Sequence, residues 1–182
     1  YWKHGGWDVK AFAGAMIDNV QSGGRWRGGS TLTQQTAKNL FGRTGPLRGK
    51  VDELINAYRL ERNFTKEEIL EFYLNQFFVT GNGHGVSIAA RYFFDKEPRA
   101  LTLVECAFIA GSVKGPNQYN PFIQGSPERR QAAIEKGRAR TAYVLRQLRR
   151  HGKISEATYK AALANPPQFK RGDFRFSLST SM

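Results

Sequence analysis

Polar and cationic side chains follow a glycine pair in the run GGSTLTQQTAKNLF, residues 28–41. Gly28 and Gly29 would let the backbone approach a ligand closely, and Ser30 or Thr31 would cap a helix whose N-terminal N–H groups favour an anion. Residues three and four positions apart share a helix face, so this pattern predicts polar groups side by side. The run therefore indicates a site for a phosphate or a sugar, and the alternative is a capped surface helix with polar decoration. The residues expected to share the face are Thr31, Gln35 and either Lys38 or Asn39.

Composition limits what kind of protein carries this run. The chain has 182 residues, 40% of them hydrophobic, which predicts one compact domain with a sizeable core. A net charge of +13 predicts an anionic partner such as a diphosphate, an acidic lipid surface or nucleic acid. Cys106 is the single cysteine, which excludes an internal disulfide, and its apolar surroundings in the sequence predict a buried position.

The periodicity of apolar residues predicts helices and shows no strand pattern of comparable strength. We expect a first helix over residues 9–20, a second through Gln34 to Leu40, and a third from about Leu47 to Arg62. Glycine and proline separate the second helix from the third. The residues expected on the apolar face of the third helix are Leu47, Val51, Leu54 and Tyr58.

Capping signals predict the later helices. The pairs Thr65 with Glu68 and Thr102 with Glu105 each form the pattern of a capping box. A shorter helix is expected over residues 86–94, a long basic helix from Ser126 to about Arg150, and a last helix from Ser155 to about Ala164. The basic and aromatic segment 166–182 is expected to be a tail or linker.

Further blocks join the first run in a fixed order, and together they resemble the peptidoglycan glycosyltransferase family, glycosyltransferase family 51. That family comprises the polymerising domain of bifunctional penicillin-binding proteins and the monofunctional transglycosylases. The resemblance covers roughly residues 1–150. The blocks are Tyr1-x-x-His4-x-Gly6, Lys50-x-x-Glu53, the segment EILEFYLN at residues 68–75, Gly81-x-Gly83-x-Gly85 and residues 101–121.

The resemblance implies a mostly α, lysozyme-like single domain of about eight helices over residues 1–165. It implies an enzyme that polymerises lipid II into glycan strands, by inverting transfer of the lipid-linked chain to an acceptor 4-hydroxyl with release of undecaprenyl diphosphate. The expected location is the periplasmic face of the bacterial cytoplasmic membrane. The expected partners are lipid II, the growing glycan strand, an anionic membrane surface and a transpeptidase domain or cell-wall synthesis complex, but no nucleic acid.

Site residues follow from the resemblance position by position. Glu53 corresponds to the second glutamate of the family's pair and is expected to orient the lysines or a divalent ion near the diphosphate. The cations of Lys38 and Lys50 are expected to hold that diphosphate. No cofactor is expected to be required, although Mg²⁺ or Mn²⁺ could bind. The expected substrate-binding residues are His4, Ser30, Thr31, Gln35, Lys38 and Lys50.

Two departures from the family's pattern stand out. The first motif of the family runs Glu-Asp-x-x-Phe-x-x-His-x-Gly, and alignment on His4 puts Tyr1 at the Phe position. The general-base glutamate is therefore expected upstream of Tyr1, so that this chain, truncated at its N-terminus, would lose about 10²–10⁴ in rate. The second departure is Gly49, where the family usually carries Arg, and Arg48 or Arg43 could supply that charge.

Alternatives from other classes stay open on the sequence alone. A lysozyme-like hydrolase or lytic transglycosylase would share the fold, but it would need a carboxylic acid to protonate the leaving oxygen. A nucleic-acid binder could use the basic helix at residues 129–150, although no recognised nucleic-acid motif accompanies it. A third alternative is a catalytically impaired module that only binds lipid II. Aromatic residues that could instead dip into a membrane are Trp2, Trp7, Trp26, Phe41, Phe77 and Phe78.

Overall fold

The computed structural model describes residues 30–42, 45, 48–76, 78, 79 and 83–172. These residues hold seven α-helices and one short 3-10 helix, and their strand-like pairing is limited to an isolated bridge between Phe78 and His84. The prediction of a mostly α fold is confirmed. The chain divides into two compact units, unit 1 over Tyr1–Gln76 and unit 2 over Phe77–Met182. The helix predicted over residues 9–20 lies outside the described residues.

Unit 1 contains helices α1 (Leu32–Phe41), α2 (Arg48–Asn63) and α3 (Lys66–Asn75). Helix α1 begins where the Thr31 hydroxyl accepts a hydrogen bond from the backbone N–H three residues later, at 3.2 Å. It ends at Gly42, whose φ of 75° lies in the left-handed region that favours glycine. The apolar core that joins the three helices is small and consists of Ala37, Ala57, Leu60 and Ile69.

The predicted apolar face of α2 is wrong. Val51 is 55% exposed and Tyr58 is 56% exposed. The helix instead buries a face of different character, because α1 presents buried threonine and glutamine side chains that polar or small partners suit better. The residues on that buried face are Gly49, Glu53, Ala57 and Leu60.

Both predicted capping boxes are present. The Thr65 hydroxyl accepts from the backbone N–H of Glu68, and the Glu68 carboxylate accepts from the backbone N–H of Thr65 at 2.8 Å. Thr102 and Glu105 repeat this arrangement in unit 2. Each box satisfies two N–H groups that a helix start would otherwise leave without partners.

Unit 2 contains helices α4 (Val86–Phe94), α5 (Leu103–Ser112), α6 (Pro127–Arg150) and α7 (Glu156–Ala164). The 3-10 helix, Pro98–Ala100, lies between α4 and α5. These bounds agree with the helices predicted from the sequence. Across the described residues, no helix combines the length and the apolar character needed to cross a bilayer.

Aromatic rings form the core of unit 2. The rings of Phe93 and Phe108 meet edge to face with centroids 5.1 Å apart, and both side chains are 1% exposed. Helix α6 approaches this core closely at Gly137, where an added Cβ would lie 3.0 Å from the Phe108 ring. The buried cluster is Val79, Ala89, Tyr92, Phe93, Phe94, Phe108, Ile109 and Tyr119.

Residues 166–172 have no regular secondary structure, yet they pack on the same core. The Phe169 ring stacks on Phe94 with centroids 5.8 Å apart. Lys170 donates its backbone N–H to a carbonyl oxygen of α4 at 2.9 Å, and its ammonium lies 2.6 Å from the Asp95 carboxylate. At Gly172 an added Cβ would lie 2.3 Å from another α4 carbonyl oxygen, so this close approach requires glycine.

Cys106 is exposed, so the prediction of a buried position is wrong. It lies on α5 between buried neighbours, Glu105 and Ala107, and the helical rotation of about 100° per residue turns it outward. Although the residue is exposed, nearby protein atoms partly desolvate its sulfur, and this desolvation together with the neighbouring Glu105 charge raises the pKa of the thiol.

Candidate active site

A lysine ammonium forms the centre of a polar cluster in unit 1. Lys50, on the first turn of α2, donates from Nζ to the Ser30 hydroxyl at 2.9 Å and to the Gln34 side-chain oxygen at 3.5 Å. The same ammonium pairs with the carboxylate of Glu53, one turn further along α2. The Glu53 side chain is 4% exposed, whereas 32% of the Lys50 side chain meets solvent. The carboxylate is thus enclosed, and the cation is accessible.

Local sequence explains why these groups meet. Ser30 directly precedes the Thr31 cap, so it lies at the N-terminal end of α1. Lys50 and Glu53 are three residues apart, which places them on one face of α2. That face is the one that α2 buries in the interior of unit 1. The cluster therefore joins the start of α1 to the first turns of α2.

This arrangement suits an anion that carries several oxygens. The N-terminal end of α1 contributes partial positive charge from its first-turn N–H groups, and Lys50 adds a full charge beside it. The Glu53 carboxylate holds the ammonium in place, so the charge is fixed before a ligand arrives. Such a site could stabilise negative charge that grows on a leaving phosphate group.

The structure brings three of the predicted site residues into direct contact, and they are Ser30, Lys50 and Glu53. Thr31 is buried and caps α1. Gln35 is exposed, and its Nε2 donates to the backbone oxygen of Ser30 at 3.4 Å. Lys38 lies one turn further along α1 and is also exposed. Their roles as substrate contacts stay predictions. His4 lies outside the described residues.

Gln34 belongs to the cluster, although the sequence reasoning named Gln35 as the substrate contact. Gln34 is 6% exposed, and its side-chain oxygen faces Lys50. Neighbouring glutamines point about 100° apart on a helix, so only knowledge of which face α2 covers could have chosen between them. The buried threonines on both sides of the pair, Thr33 and Thr36, mark the face in retrospect.

The arginine that the family usually carries is replaced here by Gly49, which is buried in the interior of unit 1. The neighbouring Arg48 is exposed, and Arg43 lies outside the described residues. In the described part of the chain, no three His, Cys, Asp or Glu side chains lie together as a metal site would need.

Comparison with known proteins decides the family. A sequence profile of the family described as Transglycosylase matches residues 1–149. The chain belongs to the transglycosylase family. The resemblance predicted from the motifs is therefore confirmed.

Relatives within the transglycosylase family are much longer than this chain. It is 38% identical to penicillin-binding protein 1A of Aquifex aeolicus (strain VF5), covering 97% of this chain and 23% of that relative. With penicillin-binding protein 1A of Neisseria flavescens the identity is 36%, covering 94% and 20%. The chain thus spans less than a quarter of the length of these relatives.

A solved structure shares the fold. The crystal structure of penicillin-binding protein 1A from Haemophilus influenzae matches with a TM-score of 0.50 at 27% identity, covering 80% of this chain and 17% of that one. This likeness agrees with the mostly helical, lysozyme-like architecture predicted for the transglycosylase family.

Proposed function

We propose that the chain is a peptidoglycan glycosyltransferase domain that polymerises lipid II and releases undecaprenyl diphosphate. The observation that carries the proposal is the Lys50 ammonium, held by Ser30, Gln34 and Glu53 at the N-terminal end of α1. In a member of the transglycosylase family, this is the group best placed to receive the diphosphate of a lipid-linked sugar.

The proposed chemistry is the attack of an acceptor 4-hydroxyl on the anomeric carbon of the lipid-linked chain. The new bond forms as the bond to the diphosphate oxygen breaks, and a carboxylate accepts the hydroxyl proton. The leaving diphosphate gains negative charge, which Lys50 and the α1 N-terminus would stabilise. Glu53 would keep the ammonium aligned, and the proton acceptor would be the general-base glutamate of the family's first motif.

The remaining assignments form part of the proposal. Lys38, one turn beyond the cluster residue Gln34 on α1, would add charge along the path of the diphosphate. A Mg²⁺ or Mn²⁺ ion would be held chiefly by phosphate oxygens and oriented by Glu53, because magnesium often binds one carboxylate plus substrate phosphates. Chelation of divalent ions during turnover tests that dependence. A transpeptidase domain or cell-wall synthesis complex as partner stays a prediction.

The decisive experiment replaces the central cation. The Lys50→Met variant should lose about 10²–10³ in lipid II polymerisation and bind lipid II more weakly, because one preorganised electrostatic donor is gone. Lys160→Met is the matched control, since Lys160 also faces a glutamate one turn away but is exposed, with 3.9 Å between Lys160 Nζ and the Glu156 carboxylate. Unchanged polymerisation by Lys50→Met would contradict the proposal.

A second arm separates catalysis from binding. Polymerisation is measured for the chain as it stands and for a version extended upstream by the family's Glu-Asp-x-x segment, each with and without Glu53→Gln. Activity that needs both the extension and Glu53 supports the proposed enzyme. Lipid II binding without turnover in either version supports the binding-module alternative instead.

An exposed apolar stripe on α2 supports a location at a membrane surface. Val51, Ile55 and Tyr58 follow at one-turn spacing and are 55%, 46% and 56% exposed. Arginines border the stripe at Arg48 and Arg59, and both are exposed. Apolar residues flanked by cations suit the headgroup region of an anionic bilayer. We propose that this stripe meets the periplasmic face of the bacterial cytoplasmic membrane.

Vesicle binding tests the stripe. Replacement of its three residues by Ser should reduce binding to vesicles that contain anionic lipid and leave the helix folded. The control replaces three exposed apolar residues of unit 2, Ile123, Tyr143 and Leu163, which are 41–46% exposed. Equal binding by both triple variants would contradict the membrane assignment.

A further inference from the structure

We propose that Glu61 is a positioning residue, which acts with Thr33 and Lys66 as a clamp that fixes α1 on α2. The clamp would hold Ser30 and Gln34 at the Lys50 ammonium without touching the substrate itself. This inference rests on the proposed function, because it assigns the clamp to the binding of the lipid-linked diphosphate.

The clamp is a three-residue polar contact in unit 1. The Thr33 hydroxyl donates to Glu61 Oε1 at 2.5 Å, and Lys66 Nζ donates to the same oxygen at 2.7 Å. Thr33 is 0% exposed, and the Glu61 side chain is 10% exposed. The contact thus joins α1, the last turn of α2 and the first residue of α3 through one carboxylate oxygen.

Glu61 is remote from the cluster along its own helix. It follows Lys50 by eleven residues, which at 1.5 Å per residue is about 16 Å along the axis of α2. The Glu61 carboxylate contacts Thr33 and Lys66, whereas the Lys50 ammonium contacts Ser30, Gln34 and Glu53. Because Thr33 and Gln34 are adjacent on α1, that helix gives Glu61 a route to the cluster besides α2 itself.

The connection through α1 is short. Thr33 belongs to the clamp, and the adjacent Gln34 belongs to the cluster. The neighbouring apolar contact between α1 and α2 includes Ala37 and Ala57, with Leu60 and the partly buried Leu32 beside them. Apolar contacts are non-directional, whereas a buried hydrogen bond to a carboxylate has a defined length and direction. The clamp therefore supplies a directional contact, which the apolar residues lack.

A displacement of α1 would show first at Lys50. The Gln34 oxygen already lies at 3.5 Å from Nζ, the upper limit for a hydrogen bond, while the Ser30 hydroxyl lies at 2.9 Å. A shift of about 1 Å would remove the longer contact, since contacts beyond that limit are not hydrogen bonds. The ammonium would then lose one of the groups that aim it.

The test compares Thr33→Val, Thr33→Ser, Glu61→Gln and the Thr33→Val/Glu61→Gln double variant. We measure Kd for lipid II, together with KM and kcat in the version that turns over. Thr33→Val and Glu61→Gln should each raise Kd and KM about 3- to 30-fold, in the range of coupling between residues that share a network. Thr33→Ser should restore both values because it keeps the hydroxyl. The double variant should resemble the single variants rather than their product.

Glu105→Gln is the matched control, because Glu105 is also a nearly buried carboxylate paired with a lysine, at 2.8 Å from Lys96, but in unit 2. It should lower stability and leave Kd unchanged. An unchanged Kd in Thr33→Val and Glu61→Gln, with stability reduced as in Glu105→Gln, would overturn the proposal. If Glu61→Gln does not fold, the Thr33→Val and Thr33→Ser pair decides alone. Failure of the proposed function is distinguishable, because it would appear as absent lipid II binding in the unaltered chain.

Discussion

The two units bury different kinds of side chain. In unit 1, α1 and α2 bury polar side chains, namely Thr33, Gln34, Thr36 and Glu53, beside a small apolar core. In unit 2, the main cluster is built around the rings of Tyr92, Phe93, Phe94, Phe108 and Tyr119. Both units consist of packed helices, but the interactions that hold the helices together differ between them.

The difference shows that one kind of interior stabilises the fold, whereas the other fixes the positions of side chains. Buried aromatic rings stabilise a fold through their large apolar area and tolerate the usual scatter of edge-to-face geometries. Buried polar contacts give little net stability and lose it when one partner is removed, yet they fix where each atom lies. The polar interior of unit 1 is therefore suited to fixing the positions of site residues, and the aromatic interior of unit 2 is suited to stabilising the fold.

The largest expected effect is in the aromatic core. Phe93→Ala should destabilise unit 2 by about 3–5 kcal/mol, since Phe93 is fully buried among four other rings. Denaturant unfolding, followed by a probe in each unit, measures it. A loss below about 1 kcal/mol would contradict a core dominated by these rings.

A smaller effect is expected from overfilling the α1–α2 contact. Ala57 is 0% exposed, so Ala57→Leu should cost about 1–3 kcal/mol and also displace α1, which weakens lipid II binding. Ala162→Leu is the control in unit 2, where Ala162 is 7% exposed. Its stability should fall without a change in Kd. Weakened binding in both variants would remove the distinction between the units.

The ion pair between Lys96 and Glu105 in unit 2 should make stability sensitive to acid. Burial raises the pKa of Glu105. The Lys96 ammonium and the Thr102 N–H and hydroxyl together lower it by a larger amount, so the pKa lies below its ordinary 4.5. Stability from this group is therefore complete above pH 4.5 and is lost as pH falls through the lower folded value. Glu105→Gln should be less stable by about 1 kcal/mol near neutral pH, and the gap should close in acid. A gap that persists in acid would show that packing, rather than charge, causes it.

The smallest effect is expected at Cys106. Because the residue is exposed, Cys106→Ser should change stability by less than about 0.5 kcal/mol. Its raised thiol pKa means that labelling should need a higher pH than labelling of a free model thiol. Rapid labelling at neutral pH would contradict that direction.

Local signals in the sequence predicted most of the fold. The two capping boxes, at Thr65 and Thr102, depend on residues three positions apart, and such neighbours meet whatever the tertiary structure. The start of α6 at Ser126 and Pro127 was predicted for the same reason. Family motifs then predicted Ser30, Lys50 and Glu53, which the structure brings together.

The sequence could not show which face of α2 is buried. Apolar periodicity favoured Val51 and Tyr58, but hydrophobicity alone cannot identify a helix that buries a carboxylate and leaves an apolar stripe exposed. Glu53 can occupy a buried position because the Lys50 ammonium pairs with its carboxylate. For the same tertiary reason the sequence could not show that Gln34 faces Lys50, and the predicted role of Gln35 as a substrate contact stays a prediction.

The segment at residues 166–172 determines how mechanical load would enter unit 2. Lys170 is attached to the C-terminal end of α4 by a backbone hydrogen bond and an ion pair, and Phe169 lies in the aromatic core. Tension applied to the chain beyond Gly172 would therefore pull on α4 and the rings beneath it, rather than peel α7 from the surface. The last helix is shielded from force by the segment that follows it.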